Sequence, residues 1–312
     1  MKILLRSVFT LSVLSVSTAY GQLTNYQVWN GQSNSQLVLR RWQQEGKNYY
    51  WMVNPKTLET TIAPDVVVQP LEPQAVSRTI AGTAYGRALK QEQLRAGPLQ
   101  DAGIERTNVN EKGFSLTMDL CPSHKPLTRS VFEDLIAAFE PEEKPIPLTI
   151  TITGLWIQTH EDDLEWLRSL EKRGDLRITW VNHSFHHYFN PKLPLTRNFL
   201  LKNGTNIQDE VLQNEQAMIT HGLLPSIFFR FPGLISDRSI FDEILKLGLL
   251  PLGSDAWLAK GQIPQNGSIV LIHPNGNEPI GIADFVKLVK SKASSIRKKD
   301  WLLYDLPASL SK

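Results

Sequence analysis

Leu176-Arg177-Ile178-Thr179-Trp180-Val181-Asn182-His183-Ser184-Phe185-His186-His187 reads as a strand running into a cluster of histidines. Its first six residues are rich in β-branched and aromatic types, which fit a pleated, half-buried surface. The cluster holds three of the seven histidines in the chain. His183 and His187 are four apart, so a helical turn after the strand would bring both imidazoles to one face. Two neutral imidazoles converging on one point are a common beginning of a transition-metal site. A polar surface turn would account for the same residues if nothing else in the chain matched.

The sequence on both sides repeats the pattern. Phe114 to Met118 alternates like a strand, and Ser130-Val131-Phe132-Glu133 reads as a capping box ahead of a helix carrying Leu135, Ile136 and Phe139. Pro147 to Thr153 is strand-like. Glu161-Asp162-Asp163 opens a helix with charge suited to its dipole, and Gly174 ends it. After the histidines, helices are expected over Ile207 to Thr220, Ser239 to Leu247 and Ile282 to Ile296. Strands are expected at Ile227 to Phe229, Leu249 to Leu252, Ile269 to Ile272 and Trp301 to Tyr304. Alternation over about two hundred residues argues for a parallel α/β domain, either a barrel or a doubly wound sheet.

In such folds chemistry collects at the carboxyl ends of strands. Those ends carry Asp119, then His183 to His187, then Arg230-Phe231-Pro232-Gly233, then Asp255-Ala256-Trp257, then His273. Each has an ordinary structural use alone, as a helix cap or a satisfied surface histidine. Their arrival at the same end of successive strands points to one site.

The ordered set Thr117-Met118-Asp119, His183-Ser184-Phe185-His186-His187, Arg230-Phe231-Pro232, Asp255-Ala256-Trp257 and Leu271-Ile272-His273 resembles the motifs of the polysaccharide deacetylase superfamily, carbohydrate esterase family four. The resemblance covers residues 111–312. It implies a distorted parallel (β/α) barrel and a hydrolase that removes N- or O-acetyl groups from a polysaccharide such as peptidoglycan, a chitin-like oligomer or an exopolysaccharide. It implies one divalent metal, zinc by preference, on His183 and His187. Asp119 would be the general base and His273 the general acid. Arg230 would orient Asp119, and Asp255 would tune His273 or brace Arg230. Trp257, Leu271 and Pro232 would wall the substrate pocket.

One position departs from the family pattern. Two consecutive aspartates are usual, the second being a metal ligand, and here Leu120 follows Asp119. Asp119 itself or the Cys121 thiolate would then complete the metal site, or metal binding would be weak. In that last case the chain would be an inactive glycan-binding relative or a metal-free C–N hydrolase. Restoring an aspartate through Leu120→Asp is expected to tighten metal binding.

Residues 22–110 carry no acid–base constellation. Gln36 to Gln44 and Asn48 to Val53 flank Glu45-Gly46-Lys47 as a hairpin, and Pro64 to Pro73 is extended. This region is read as a small accessory region plus linker, separate from a catalytic domain at 111–312. Residues 1–21 read as a signal peptide: Lys2 and Arg6, an apolar run from Val8 to Val16, then Ala19-Tyr20-Gly21. The expected location is therefore secreted or periplasmic, with no stable membrane insertion after cleavage. Lys2 and Arg6 account for the whole formal charge of +2, which leaves residues 22–312 neutral and without the basic excess that would attract nucleic acid. Cys121 is the one cysteine, so no internal disulfide forms.

Overall fold

The structure is a computed structural model that describes residues 22–95 and 99–312, so the expected signal segment lies outside the described residues. The first part is an antiparallel sheet of β1 (Thr24–Ser33), β2 (Gln36–Gln44), β3 (Lys47–Val53), β4 (Thr60–Pro64) and β5 (Gln69–Pro70), ordered β4-β3-β2-β1-β5. β2 and β3 form the expected hairpin. Glu45 and Gly46 both take positive φ, 51° and 76°, as the two-residue turn that matches strand twist requires. β1 escaped the sequence reading because its residues, TNYQVWNGQS, are mostly polar. Helices α1 (Pro73–Ile80) and α2 (Ala84–Leu94) follow.

The rest alternates as expected. Its strands are β6 (Gly113–Leu120), β7 (Ile146–Ile152), β8 (Leu176–Asn182), β9 (Pro225–Phe229), β10 (Leu250–Pro251), β11 (Ala256–Trp257), β12 (Ile269–Ile272) and β13 (Leu302–Leu303). Its helices are α3 (Arg129–Ala137), α4 (Gly154–Thr159), α5 (Glu161–Lys172), α6 (Ile207–Thr220), α7 (Arg238–Lys246), α8 (Pro279–Arg297) and α9 (Leu306–Leu310). The strands pair in parallel in the order β10-β9-β8-β7-β6-β12-β11, with β13 also on β6. Every residue of β6 is buried, as a central strand covered on both faces must be. The result is a half-barrel of parallel strands with helices outside, the distorted (β/α) barrel expected. The capping box at Ser130 does not form: α3 begins two residues earlier, after Thr128, and no side chain caps it.

Two observations bear on the expected division at residue 110. First, the stretch Ile104–Thr107 runs along the open edge of the barrel. Ile104 bonds Pro251 O and Gly253 N beside β10, Glu105 O accepts from Ile269 N, and Thr107 N donates to Gly267 O. The residues read as linker thus bridge β10 to β12. Second, Leu39, Trp42 and Trp51 of the N-terminal sheet share one apolar core with Phe228, Phe229 and Ile244 of the barrel. No break in packing coincides with residue 110.

A buried ion pair crosses the same interface. Arg40 Nε and Nη2 reach Glu215 Oε2 and Oε1 at 2.7 and 2.8 Å, with both side chains fully buried. Arg40 Nη1 donates to Leu39 O and Leu247 O, and Tyr26 Oη donates to the same carboxylate. Every guanidinium nitrogen thereby has a partner, as a charge pair removed from water requires. Arg40→Met alone strands a buried carboxylate and is expected to cost on the order of 3–5 kcal/mol. The double variant Arg40→Met/Glu215→Leu is expected to recover most of that loss in urea denaturation. A single-variant cost within error of zero would mean that the two parts are not joined through this pair.

Candidate active site

The site is built around a buried cation. Arg230, one residue beyond β9, is fully buried, with Nη1 3.3 Å from Asp119 Oδ1 and Nη2 donating to Thr117 Oγ1 and Gly253 O. Thr151 Oγ1 on β7 donates to the same Asp119 oxygen at 2.7 Å. Asp119 Oδ2 is left facing two imidazoles, 3.6 Å from His183 Nε2 and 3.9 Å from His273 Nε2. Burial alone would raise the Asp119 pKa. The Arg230 guanidinium, with help from the Thr151 hydroxyl, holds it below the usual carboxylate range.

His183 and His187 do converge, with ring centroids 4.9 Å apart, but not through a helical turn. The chain leaves β8 irregularly, with left-handed φ at Ser184 (66°) and His187 (51°). Such conformations cost of order 1–3 kcal/mol and persist only where the surroundings impose them. Here they are imposed. Glu210 of α6 accepts from the backbone N–H of Phe185 and His186, and the Asn182 side chain accepts from Ser184 N. The Phe185 ring lies where a side chain at Gly154 would stand. His186 points outward and pairs with Glu210 at 2.8 Å, so it anchors the loop.

The backbone carbonyl of Arg230 accepts from His183 Nδ1 at 2.9 Å. That bond places the proton on Nδ1 and leaves a lone pair on Nε2, which lies 3.5 Å from Cys121 Sγ. His187 Nε2 is buried with no hydrogen-bond partner. One ligand atom from each of Cys121, His183 and His187 lies within 4.8 Å of the other two, so these residues form a cluster that could hold a metal. The donor set fits one: two imidazoles and a thiol, with an orphaned buried nitrogen among them. Burial lowers His183 to about 4 and His187 to about 3, and it pushes the Cys121 thiol up. Leu120 faces the opposite way, into the apolar core with Ile152 and Trp156.

His273 follows β12. Its Nδ1 lies 2.7 Å from Glu278 Oε2, and the Trp257 indole N–H donates to the same oxygen at 2.7 Å. His273 Nδ1 is nevertheless without a hydrogen bond among the described residues, so the contact is one of proximity. Burial would raise Glu278, but His273 and the Trp257 N–H hold it below the usual carboxylate range. The role expected of Asp255 is corrected here. Asp255 pairs with Arg106 at 2.9 Å and accepts from Ser268 Oγ and Ile269 N, all at the barrel seam. It neither braces Arg230 nor meets His273. Glu278, in the loop before α8, has the place beside His273 and was missed because no periodicity marks that loop.

An open cavity of about 470 Å³ exposes His187, Cys121, His273 and Glu278, with Trp257 and the Phe189–Phe199 stack on its walls. Leu271 and Pro232 are buried and do not line the cavity.

No family model matches the sequence. Among solved structures, a family 4 carbohydrate esterase from Bacillus anthracis aligns with 74% of this chain and 94% of its own, at 20% identity and a TM-score of 0.50. PdaA of Bacillus subtilis, a family 4 carbohydrate esterase, aligns with 89% of this chain and 94% of its own, at 16% identity and a TM-score of 0.47. A family 4 pseudoenzyme from Bacillus anthracis aligns with 68% of this chain and 70% of its own, at 14% identity and a TM-score of 0.45. At these identities the likeness is one of fold: the half-barrel is that of the family 4 carbohydrate esterase from Bacillus anthracis.

The direction of Leu120 reverses the expectation for an aspartate there. Leu120→Asp would bury an unpaired carboxylate in the core, with an expected loss on the order of 3–5 kcal/mol in chelator and no recovery in zinc. Recovery in zinc would mean that position 120 can turn to the site. A second expectation concerns acid. In chelator the folded chain keeps His183 and His187 neutral, while the unfolded chain protonates both below about 6.5. The unfolded state then binds more protons, so stability falls as pH drops from about 6.5 toward 4. Thermal melts should show this decline, and His187→Gln should make it shallower. Equal slopes for the two proteins would argue against a buried neutral His187.

Proposed function

We propose that the chain is a hydrolase that removes acetyl groups from an N-acetylated or O-acetylated polysaccharide, exported to the periplasm or the exterior. Peptidoglycan, a chitin-like oligomer and an exopolysaccharide are the substrate classes in view. One observation carries the reading: Cys121 and His187 of the metal-ligand cluster and the His273 imidazole line one open cavity, with the Asp119 carboxylate buried directly behind them, 3.6 Å from His183 and 3.9 Å from His273. A pure binding groove has no use for an ionised carboxylate between two buried histidines. Among the described residues no helix is long and apolar enough to cross a membrane.

The division of labour follows from the contacts. Asp119 is held ionised, with Oδ1 occupied by Thr151 and Arg230 and Oδ2 free to take a proton from water. The water oxygen then attacks the acetyl carbonyl carbon. His273 Nε2 donates a proton to the leaving nitrogen, the C–N bond breaks, and acetate and a free amine result; in an ester the leaving atom is oxygen. Glu278 lies 2.7 Å from the other ring nitrogen of His273, where it can hold the ring in place for that transfer. A divalent metal, zinc by preference, on His183 and His187 would polarise the carbonyl and acidify the attacking water. Trp257 and Phe189 offer flat apolar faces beside the reacting groups.

Acetate release from chito-oligosaccharides and peptidoglycan, in chelator and in zinc, tests the proposal. Release is expected in zinc and its loss in chelator. His273→Ala is expected to reduce the rate about 10²–10⁴-fold. Glu278→Gln is expected to cost roughly 10–100-fold, as loss of a supporting partner does elsewhere. Asp255→Asn should lower stability and leave the rate per folded molecule unchanged. If Asp255→Asn reduces the rate more than Glu278→Gln, the exchange of partners at His273 is wrong. Absence of release from every polymer in zinc would leave the glycan-binding alternative.

A further inference from the structure

We infer that Cys121 is a thiolate ligand of the metal, making the centre a two-nitrogen, one-sulfur site from which Asp119 is excluded. This rests on the reading of His183 and His187 as metal ligands and goes beyond it in naming the third donor.

The first argument is the pleat. Successive residues of a strand face opposite sides. Asp119 points into the site and Leu120 into the core, so position 121 returns to the site. Cys121, the first residue past the end of β6, is buried against His183.

The second argument is distance. Ordinary Zn–N and Zn–S bonds at a tetrahedral angle set nitrogen and sulfur about 3.6 Å apart. Cys121 Sγ and His183 Nε2 stand 3.5 Å apart. The bond from Nδ1 to Arg230 O leaves that nitrogen with a lone pair to donate. His187 contributes the third donor, and its buried Nε2 has no protein partner.

The third argument concerns Asp119. One of its oxygens already meets Thr151 and the Arg230 guanidinium, and the other lies toward His273 as well as His183. A carboxylate so engaged is suited to moving a proton. The three mutually close donors are Cys121, His183 and His187, a count typical of zinc sites that keep one position for water or substrate. A thiolate is a soft donor, so the site should take zinc and cobalt and discriminate against magnesium, calcium and manganese.

Cobalt reports a sulfur ligand directly through a near-ultraviolet thiolate-to-metal charge-transfer band. The purified chain is stripped with chelator, dialysed and titrated with cobalt chloride. Wild type is expected to show that band together with the visible bands of a low-coordinate ion. His183→Ala should lose both sets of bands. Cys121→Ser should lose the ultraviolet band and weaken zinc binding more than tenfold. Cys121→Asp should keep the visible bands without the ultraviolet band, which also guards against a serine variant that fails to fold. Visible bands in wild type with no thiolate band, lost in Asp119→Asn but kept in Cys121→Ser, would overturn the inference and leave the metal reading standing. No cobalt spectrum at any concentration in folded wild type would overturn both.

Discussion

The site depends on one residue buried where water cannot reach it. The Arg230 side chain neutralises Asp119 and ties β6, through Thr117, to the loop after β10, through Gly253. Its main-chain carbonyl accepts from His183 Nδ1 and so chooses the tautomer of that ring. A buried guanidinium is tolerable only with compensating charge and acceptors, and Asp119 supplies the charge. The same pairing keeps Asp119 ionised in a place where burial alone would protonate it. The ionised carboxylate, the His183 tautomer and the link between β6 and the loop after β10 are thus not independent features. Substituting Arg230 would disturb all three together, so a loss of activity in such a variant could not be assigned to any single one.

The N-terminal sheet acts through a second buried arginine in a comparable way. Arg40 joins β2 to α6, and α6 carries Glu210, which pins the histidine loop. A chain of contacts therefore runs from the antiparallel sheet to the strained turn at Ser184 and His187. The strain is local, but the elements that impose it are not. The bridge at Ile104–Thr107 adds a further link, because its Arg106 holds Asp255 in the seam. A region that gives no residue to the lining of the cavity can in this way set its shape.

Much of the site was legible in the sequence, and the reason is topological. Parallel strands with helical crossovers must deliver their carboxyl ends to one rim, so Asp119, His183, His187, Arg230 and His273 could be gathered by counting elements. The partners of those residues were not legible. Arg106 and Asp255 meet across 149 positions of sequence, and nothing in either neighbourhood announces the other. Glu278 sits in a loop, where side-chain direction follows no period. The convergence of His183 and His187 was correct in outcome and wrong in cause, since the spacing suggested a helical face and the backbone uses two left-handed residues instead.

Position 120 shows how far the pleat alone can take an argument. A motif aligned residue by residue makes Leu120 a missing ligand. Strand periodicity gives a different answer, because alternate residues share a face, and with Asp119 turned inward the next inward residue is Cys121. Leu120 is then an ordinary core residue, packed with Ile152 and Trp156 on the far side of the strand. The two descriptions assign the same three letters, Asp-Leu-Cys, to different chemistry. Under the first, the site lost a donor. Under the second, a soft sulfur donor stands one position along, and Asp119 keeps one oxygen on Thr151 and Arg230 and the other for a proton. The distances favour the second, since Cys121 Sγ lies 3.5 Å from His183 Nε2 and forms one close group with His183 and His187.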